Sequence, residues 1–89
     1  MPDAAAIESQ IRTVLAAHAR MEKDAQTLPA AEDLYAAGMT SHASVNVMLA
    51  LEDAFSIEFP DAMLTRSVFA SIDAIAQAVR GLLADAGAA

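Results

Sequence analysis

Met39-Thr40-Ser41-His42-Ala43-Ser44-Val45-Asn46-Val47-Met48-Leu49-Ala50-Leu51-Glu52-Asp53-Ala54-Phe55 reads as one helix with a serine at its mouth. Successive helical residues lie about 100° apart. Val47, Ala50, Leu51, Ala54 and Phe55 then share a face at i, i+3, i+4, i+7 and i+8, the pattern of a helix burying one side. Val45, Met48, Leu49 and Glu52 fall on the other side, beneath Ser41, so that side is largely apolar too. Two readings follow: the helix is buried all round, or its second face is kept for a partner. Thr40 or Ser41 caps this helix, and capping or local hydrogen bonding is also the plain account of Ser44.

The surroundings are those of a small all-α protein. Eighty-nine residues make one domain, spanning 1–89. Hydrophobic residues make up 56% of the chain, but 23 of them are alanine, which favours helix and buries little area. No run alternates β-branched residues between turn dipeptides, so a helical bundle is the economical architecture.

Charge excludes one class of function. The net charge of −7 disfavours nucleic acid. Between Lys23 and Arg66 there is no Lys or Arg, while Asp24, Glu32, Asp33, Glu52, Asp53, Glu58 and Asp61 fall in that interval. This part of the chain should attract basic surfaces, or simply keep an alanine-rich protein dissolved. No signal peptide is visible, and no apolar run approaches the roughly 20 residues that cross a bilayer, so a cytoplasmic monomer without membrane contact is expected.

Upstream, Asp3 behind Pro2 should cap a first helix running from about Ala4 to Arg20 or a little further. Ile7, Ile11, Val14, Leu15 and His18 share its inner face, and Glu8 and Arg12 form an i, i+4 pair outside. Residues 21–40 form a long connection interrupted at Thr27-Leu28-Pro29 and pinned by Leu28, Leu34, Tyr35 and Met39. Asp33-Leu34-Tyr35 suits a single helical turn, and Gly38 a positive φ.

Downstream, Ile57 and Phe59 should anchor the chain to the core, and Pro60-Asp61 should open a short helix through about Leu64 or Arg66. Met63, Leu64, Val68 and Phe69 should pack toward the central helix. Ser71 caps a last helix with Ile72, Ile75, Ala76, Val79, Leu82 and Leu83 on its buried face, and residues 85–89 should fray.

The inventory for catalysis is poor. His18 and His42 lie on different helices, and there is no cysteine, no HExxH and no glycine-rich phosphate loop. Glu52 and Asp53 are adjacent on a helix and point about 100° apart, so they form no dyad. No metal site is expected. The chain reads as a substrate for enzymes, not as an enzyme.

The central stretch resembles the second helix of an acyl or peptidyl carrier protein. Carriers read roughly Asp-Ser-Leu, then Val, then a run like Met-Ala-Leu-Glu-Glu-Glu-Phe, then Ile-Pro-Asp. Here Val45, Leu49-Ala50-Leu51-Glu52-Asp53-Ala54-Phe55 and Phe59-Pro60-Asp61 stand at matching distances from Ser41 without a gap. The loop Asp33-Leu34-Tyr35-Ala36-Ala37-Gly38 is similar as well, and the resemblance runs from about Asp33 to Val79. It departs at Thr40 for the usual Asp, at His42 for the usual Leu, and at Ala43 and Asn46 for acidic residues.

The resemblance implies a four-helix bundle with a long first loop and a short third helix. It implies that a phosphopantetheinyl transferase places 4′-phosphopantetheine from coenzyme A on Ser41. A ligase then loads an acyl or aminoacyl group as a thioester, and a downstream acyl-transfer enzyme collects it. No cysteine of the chain's own is needed for that. Val45, Met48 and Leu49 would meet partners, with Glu52, Asp53 and Glu58 steering their basic surfaces, and Met63 and Val68 would line a groove for the attached chain. Thr-Ser-His-Ala-Ser-Val at residues 40–45, with Glu58-Phe59-Pro60-Asp61 and Arg66-Ser67-Val68-Phe69, is similar to stand-alone bacterial carriers charged with an amino acid by relatives of seryl-tRNA synthetases. A stand-alone carrier for polyketide or nonribosomal peptide synthesis fits the same residues. The loss of Asp-Ser-Leu also leaves room for an unmodified helical interaction module.

Overall fold

A computed structural model describes residues 3–87, with side chains to Asp85. Three α-helices appear in the order α1 (Ala4–His18), α2 (Ser41–Phe55) and α3 (Ile72–Gly87), with a 3-10 turn at Asp61–Met63 between the last two. No strand occurs among the described residues. The architecture is all-helical as expected, but the expected short third helix is a three-residue 3-10 turn, so three α-helices stand where four were expected. Pro60 opens that turn without a side-chain cap, and the chain leaves it at once through Leu64. With no cap and a single hydrogen-bonded turn, nothing nucleates an α-helix there.

Helix α1 packs against both α2 and α3. Asp3 caps it, its carboxylate accepting from the Ala6 N–H at 2.8 Å. Ile7, Ile11, Val14 and Leu15 are buried on its inner face. His18 is exposed, contrary to the face assigned to it. The buried position after Leu15 is Ala19, one turn further on and at the C-cap. The helix stops there because Arg20 adopts a left-handed conformation (φ 54°), short of the extension expected.

The long connection is a structured strap. Asp24 accepts the backbone N–H of Gln26 through its side chain and those of Thr27 and Leu28 through its carbonyl. Arg12 is not an outward surface residue. Besides its 3.2 Å pair with Glu8, its guanidinium donates to the carbonyls of Ala25 (3.0 Å) and Leu28 (2.6 Å), with a longer contact to Gln26 (3.5 Å). Ala25, Leu28, Leu34, Ala37 and Met39 then bury their side chains in the common core.

A short helical turn begins at Asp33, whose side chain accepts the N–H groups of Tyr35 and Ala36. It ends in a Schellman motif: Met39 N–H donates to Leu34 C=O and Gly38 N–H to Tyr35 C=O. Gly38 has φ +117°, and a Cβ there would sit 3.3 Å from the Glu22 backbone N. Gly38→Ala is therefore expected to cost about 1–3 kcal/mol, measured by denaturant unfolding.

In α2 the buried stripe is Ala43, Val47, Leu51 and Phe55, each one turn from the next. Ala50 is half-buried and Ala54 exposed, so the inner face is narrower than the sequence pattern suggested. Helix α3 is capped by Ser71, whose Oγ accepts from Ala74 N–H at 3.0 Å. Ile72, Ile75, Ala78 and Val79 are buried, with Ala76, Leu82 and Leu83 half-buried around them. It remains helical through Gly87, beyond the expected fraying point. The expectation of fraying at Ala88 and Ala89 lies outside the described residues, as does the placement of Pro2.

Two main-chain hydrogen bonds join the strap to the segment entering α3: Leu34 N–H to Ala70 C=O (2.7 Å) and Asp73 N–H to Ala30 C=O (3.0 Å). They hold the strap beside the mouth of α2.

Candidate functional site

The mouth of α2 is built by Thr40. Its backbone is extended and its Oγ1 accepts from Ala43 N–H at 3.0 Å. Thr40 is thus the cap, and Ser41 is the first residue of the helix proper. Ser41 is exposed. Among the described residues its hydroxyl makes no hydrogen bond, and the N–H groups of Ser41 and His42 find no protein acceptor. A free hydroxyl therefore stands at the positive end of a helix dipole, where an anion is favoured. Ser44 is different: it is half-buried, and its Oγ donates to the Ser41 carbonyl at 2.7 Å.

Beside Ser41 runs an open groove of about 500 Å³. One wall is α2, through Ser41, Ser44, Val45 and Met48. The other comes from Tyr35 on the strap and from Leu64, Thr65, Arg66 and Phe69 ahead of α3. Phe69 is braced by Phe59 in an edge-to-face contact, ring centroids 5.3 Å apart. The Arg66 guanidinium lies 3.9 Å from the centre of the Tyr35 ring, a cation–π stack.

The expected lining residues, Met63 and Val68, instead pack half-buried against the core. Leu64, expected to pack toward the central helix, lines the groove beside that helix and is 45% exposed. The resemblance implied a short helix bordering the groove, and the backbone past Met63 is not helical. The chain leaves the 3-10 turn at Leu64 and proceeds through successive i to i+3 turns over residues 65–70. That shift of facing brings Leu64, Arg66 and Phe69 to the groove. The role of Tyr35 and Arg66 carried no sequence signal, since their stack joins segments far apart in the chain.

The second face of α2 is open. Val45 is 51% and Leu49 53% exposed, and Met48 is half-buried at the groove edge. Asp53 and Glu58 are exposed beyond them. Glu52 is occupied otherwise: its Oε2 accepts the Phe59 N–H at 2.8 Å and ties the end of α2 to the following loop. Glu32 pairs with Lys23 at 2.8 Å, and Asp24 and Asp33 cap turns. Of the acidic residues in the region without Lys or Arg, Asp53, Glu58 and Asp61 are exposed and make no such bond among the described residues. No group of three or more His, Asp or Glu side chains able to hold a metal occurs among the described residues, and no helix there is long and apolar enough to cross a membrane.

A small helical scaffold that holds one free hydroxyl at a helix mouth, beside an apolar groove and an open apolar face, is a platform for a covalently attached group. Residues 9–79 match the family model described as "Phosphopantetheine attachment site". The chain belongs to this family of phosphopantetheine-binding carrier proteins. The aminoacyl carrier protein of Agrobacterium fabrum (strain C58) is 46% identical over 77 residues, which cover 86% of this chain and 93% of that relative. The chain also matches, at TM-score 0.80 and 46% identity, the crystal structure of an engineered Bradyrhizobium japonicum glycine:[carrier protein] ligase complexed with a carrier protein from Agrobacterium tumefaciens and AMP; 82% of this chain and 97% of that chain are covered. A solution structure from Agrobacterium tumefaciens matches at TM-score 0.71 and 45% identity, over 92% of this chain and 99% of that one.

The protein is thus a carrier and not an enzyme, and its prosthetic group is covalently attached 4′-phosphopantetheine. The mouth of α2 fits that group. It offers an unengaged hydroxyl to esterify, unpartnered N–H groups for a phosphodiester, and an apolar groove alongside.

Proposed function

We propose that Ser41 is the attachment residue, and that this carrier holds an aminoacyl group delivered by an amino acid:[carrier protein] ligase. The observation that carries the first part is the free Ser41 hydroxyl, first in α2 and within the matched residues 9–79. The relatives support the second part: one is an aminoacyl carrier protein, and another is a carrier complexed with a glycine:[carrier protein] ligase.

When attached, the arm supplies a thiol on which a carboxylic acid is held as a reactive thioester. The chain's own residues do the rest. The Ser41 oxygen bonds to the phosphorus of the phosphopantetheinyl group as the pyrophosphate bond of coenzyme A breaks in the transferase, 3′,5′-ADP leaves and the hydroxyl proton passes to the transferase; the start of α2 stabilises the negative charge of the resulting phosphodiester. Thr40 holds the helix mouth in register without adding charge, where carriers of this family usually have an acidic residue. Val45, Met48 and Leu49 present an apolar contact surface, and Asp53 and Glu58 steer basic partners toward it. Glu52 lies on the same surface, with one oxygen committed to the Phe59 N–H. A downstream acyl-transfer enzyme uses the same surface, so each contact is small and transient. Met48 adapts readily to more than one partner. The carrier acts as a monomer in the cytoplasm.

Intact mass after incubation with coenzyme A and a broad-specificity phosphopantetheinyl transferase tests the attachment. One added phosphopantetheinyl group that maps by peptide analysis to Ser41 supports it, and a group found elsewhere overturns it. For the contact surface, Leu49→Asp is expected to lower unfolding stability by only about 1 kcal/mol, from lower helix propensity and repulsion by Glu52 and Asp53 one turn on, because the side chain is already half in water. Its loading by the ligase should fall about tenfold or more in kcat/KM. Loading at the wild-type rate would remove Leu49 from the contact.

A further inference from the structure

We propose that Arg66, held over the Tyr35 ring, is a positioning residue that pairs with the phosphodiester of an arm on Ser41 and directs the arm into the groove; this rests on the Ser41 assignment above. The chain carries five Lys and Arg residues, and none lies between Lys23 and Arg66. Arg66 is the cation lining the groove that Ser41 borders. Among the described residues it has no ion pair; Arg12 and Lys23 are the cations that do. Its guanidinium is instead stacked on Tyr35, 3.9 Å from the ring centre.

The stack matters for two reasons. It orders a long, exposed side chain in advance, so less rotamer freedom is lost when a ligand arrives. It also seats the guanidinium where, among the described residues, no hydrogen bond or ion pair engages its N–H groups, and those groups match the oxygens of a phosphodiester. The other lining residues, apolar Val45, Met48, Leu64 and Phe69 beside Tyr35, Ser44 and Thr65, are uncharged and suit the uncharged body of an arm. A single cation in an otherwise uncharged groove on an acidic protein is complementary to a ligand with one anionic end. The unpartnered N–H groups at the mouth of α2 and Arg66 would thus act on the same phosphodiester from the two walls of the groove.

The test uses the full chain, apo and holo, with intact mass establishing that the arm is on Ser41 before each measurement. Amide chemical shifts of the two forms are compared for wild type, Arg66→Gln and Arg66→Lys, together with the ³¹P shift of the holo form. The expected result is a holo-minus-apo shift at residues 64–69 in wild type, most of it lost in Arg66→Gln and partly kept in Arg66→Lys. The ³¹P resonance should move in Arg66→Gln, and the wild-type shifts should shrink as salt is raised. Unchanged apo spectra outside residues 35 and 64–69 show that the variants remain folded. A correctly attached arm that leaves residues 64–69 unshifted in wild type, or shifts them equally in Arg66→Gln, overturns this inference alone. Failure of Ser41 to take up the arm overturns the attachment reading and this inference with it.

Discussion

Ser41→Ala is expected to take up no phosphopantetheine from coenzyme A, and Ser44→Ala as much as wild type. The neighbouring hydroxyls are differently employed. Thr40 Oγ1 accepts the Ala43 N–H and holds the helix mouth, so esterifying it would undo the cap. Ser44 is half-buried and donates to the Ser41 carbonyl. Ser41 alone of the three is exposed and unengaged among the described residues. Because Thr40 is the cap, removing the Ser41 hydroxyl should not unravel α2, and alanine is the better helix former. Loss of uptake with an unchanged thermal midpoint is therefore the expected outcome, read by intact mass and circular dichroism. Uptake that persists in Ser41→Ala and vanishes in Ser44→Ala would move the site one turn into the helix.

Arg12→Leu is expected to destabilise the fold by about 3 kcal/mol, more than any single surface pair would suggest. The guanidinium bridges α1 to the strap through the carbonyls of Ala25 and Leu28, with Gln26 at longer range, and it is only 14% exposed. A hydrogen bond from a charged donor contributes about 1.5–3 kcal/mol, and the abandoned carbonyls add their own desolvation cost. For a chain of this size each kcal/mol lowers the midpoint by about 4–8 °C, so a drop of roughly 15 °C or more is expected. Arg12→Lys should recover part of it, because the Ala25 and Leu28 carbonyls are both reached by one nitrogen, Nη1, which an ammonium can stand in for, while the separate Nε pair with Glu8 is lost. A midpoint within about 3 °C of wild type would show that the strap is held by its buried side chains alone.

How far the molecule could be read from its residues depended on whether the signal was local. Asp3 and Ser71 as caps, Gly38 in a left-handed turn and the stripe of Val47, Leu51 and Phe55 are all set by neighbours within a turn or two, and they stand where the pattern puts them. The sequence left the cap of α2 open between Thr40 and Ser41, since either hydroxyl can serve, and the extended Thr40 backbone decides it. Arg12 was misread because i, i+4 spacing with Glu8 suggested a surface pair, and its carbonyl partners lie 13 to 16 residues away. The groove was misassigned for a related reason. Whether residues 64–69 continue a helix or break into successive turns changes which side chains face α2, and Pro60-Asp61 indicates only a start. Glu52 looked like a free surface charge until the loop folded back to place the Phe59 N–H against it.

The two main-chain bonds that suspend the strap from the entrance to α3 bear on how relatives of this carrier can diverge. Leu34 N–H to Ala70 C=O and Asp73 N–H to Ala30 C=O use no side chain, so substitutions other than proline leave the bonding groups in place. The joining of strap and turns into the one wall that faces α2 is thereby insulated from mutational drift in the lining itself. Positions 64 and 65, exposed on the groove, are then free to vary in bulk and polarity over a constant frame. Selection for a different cargo could act on them one at a time, without the carrier having to refold around each change.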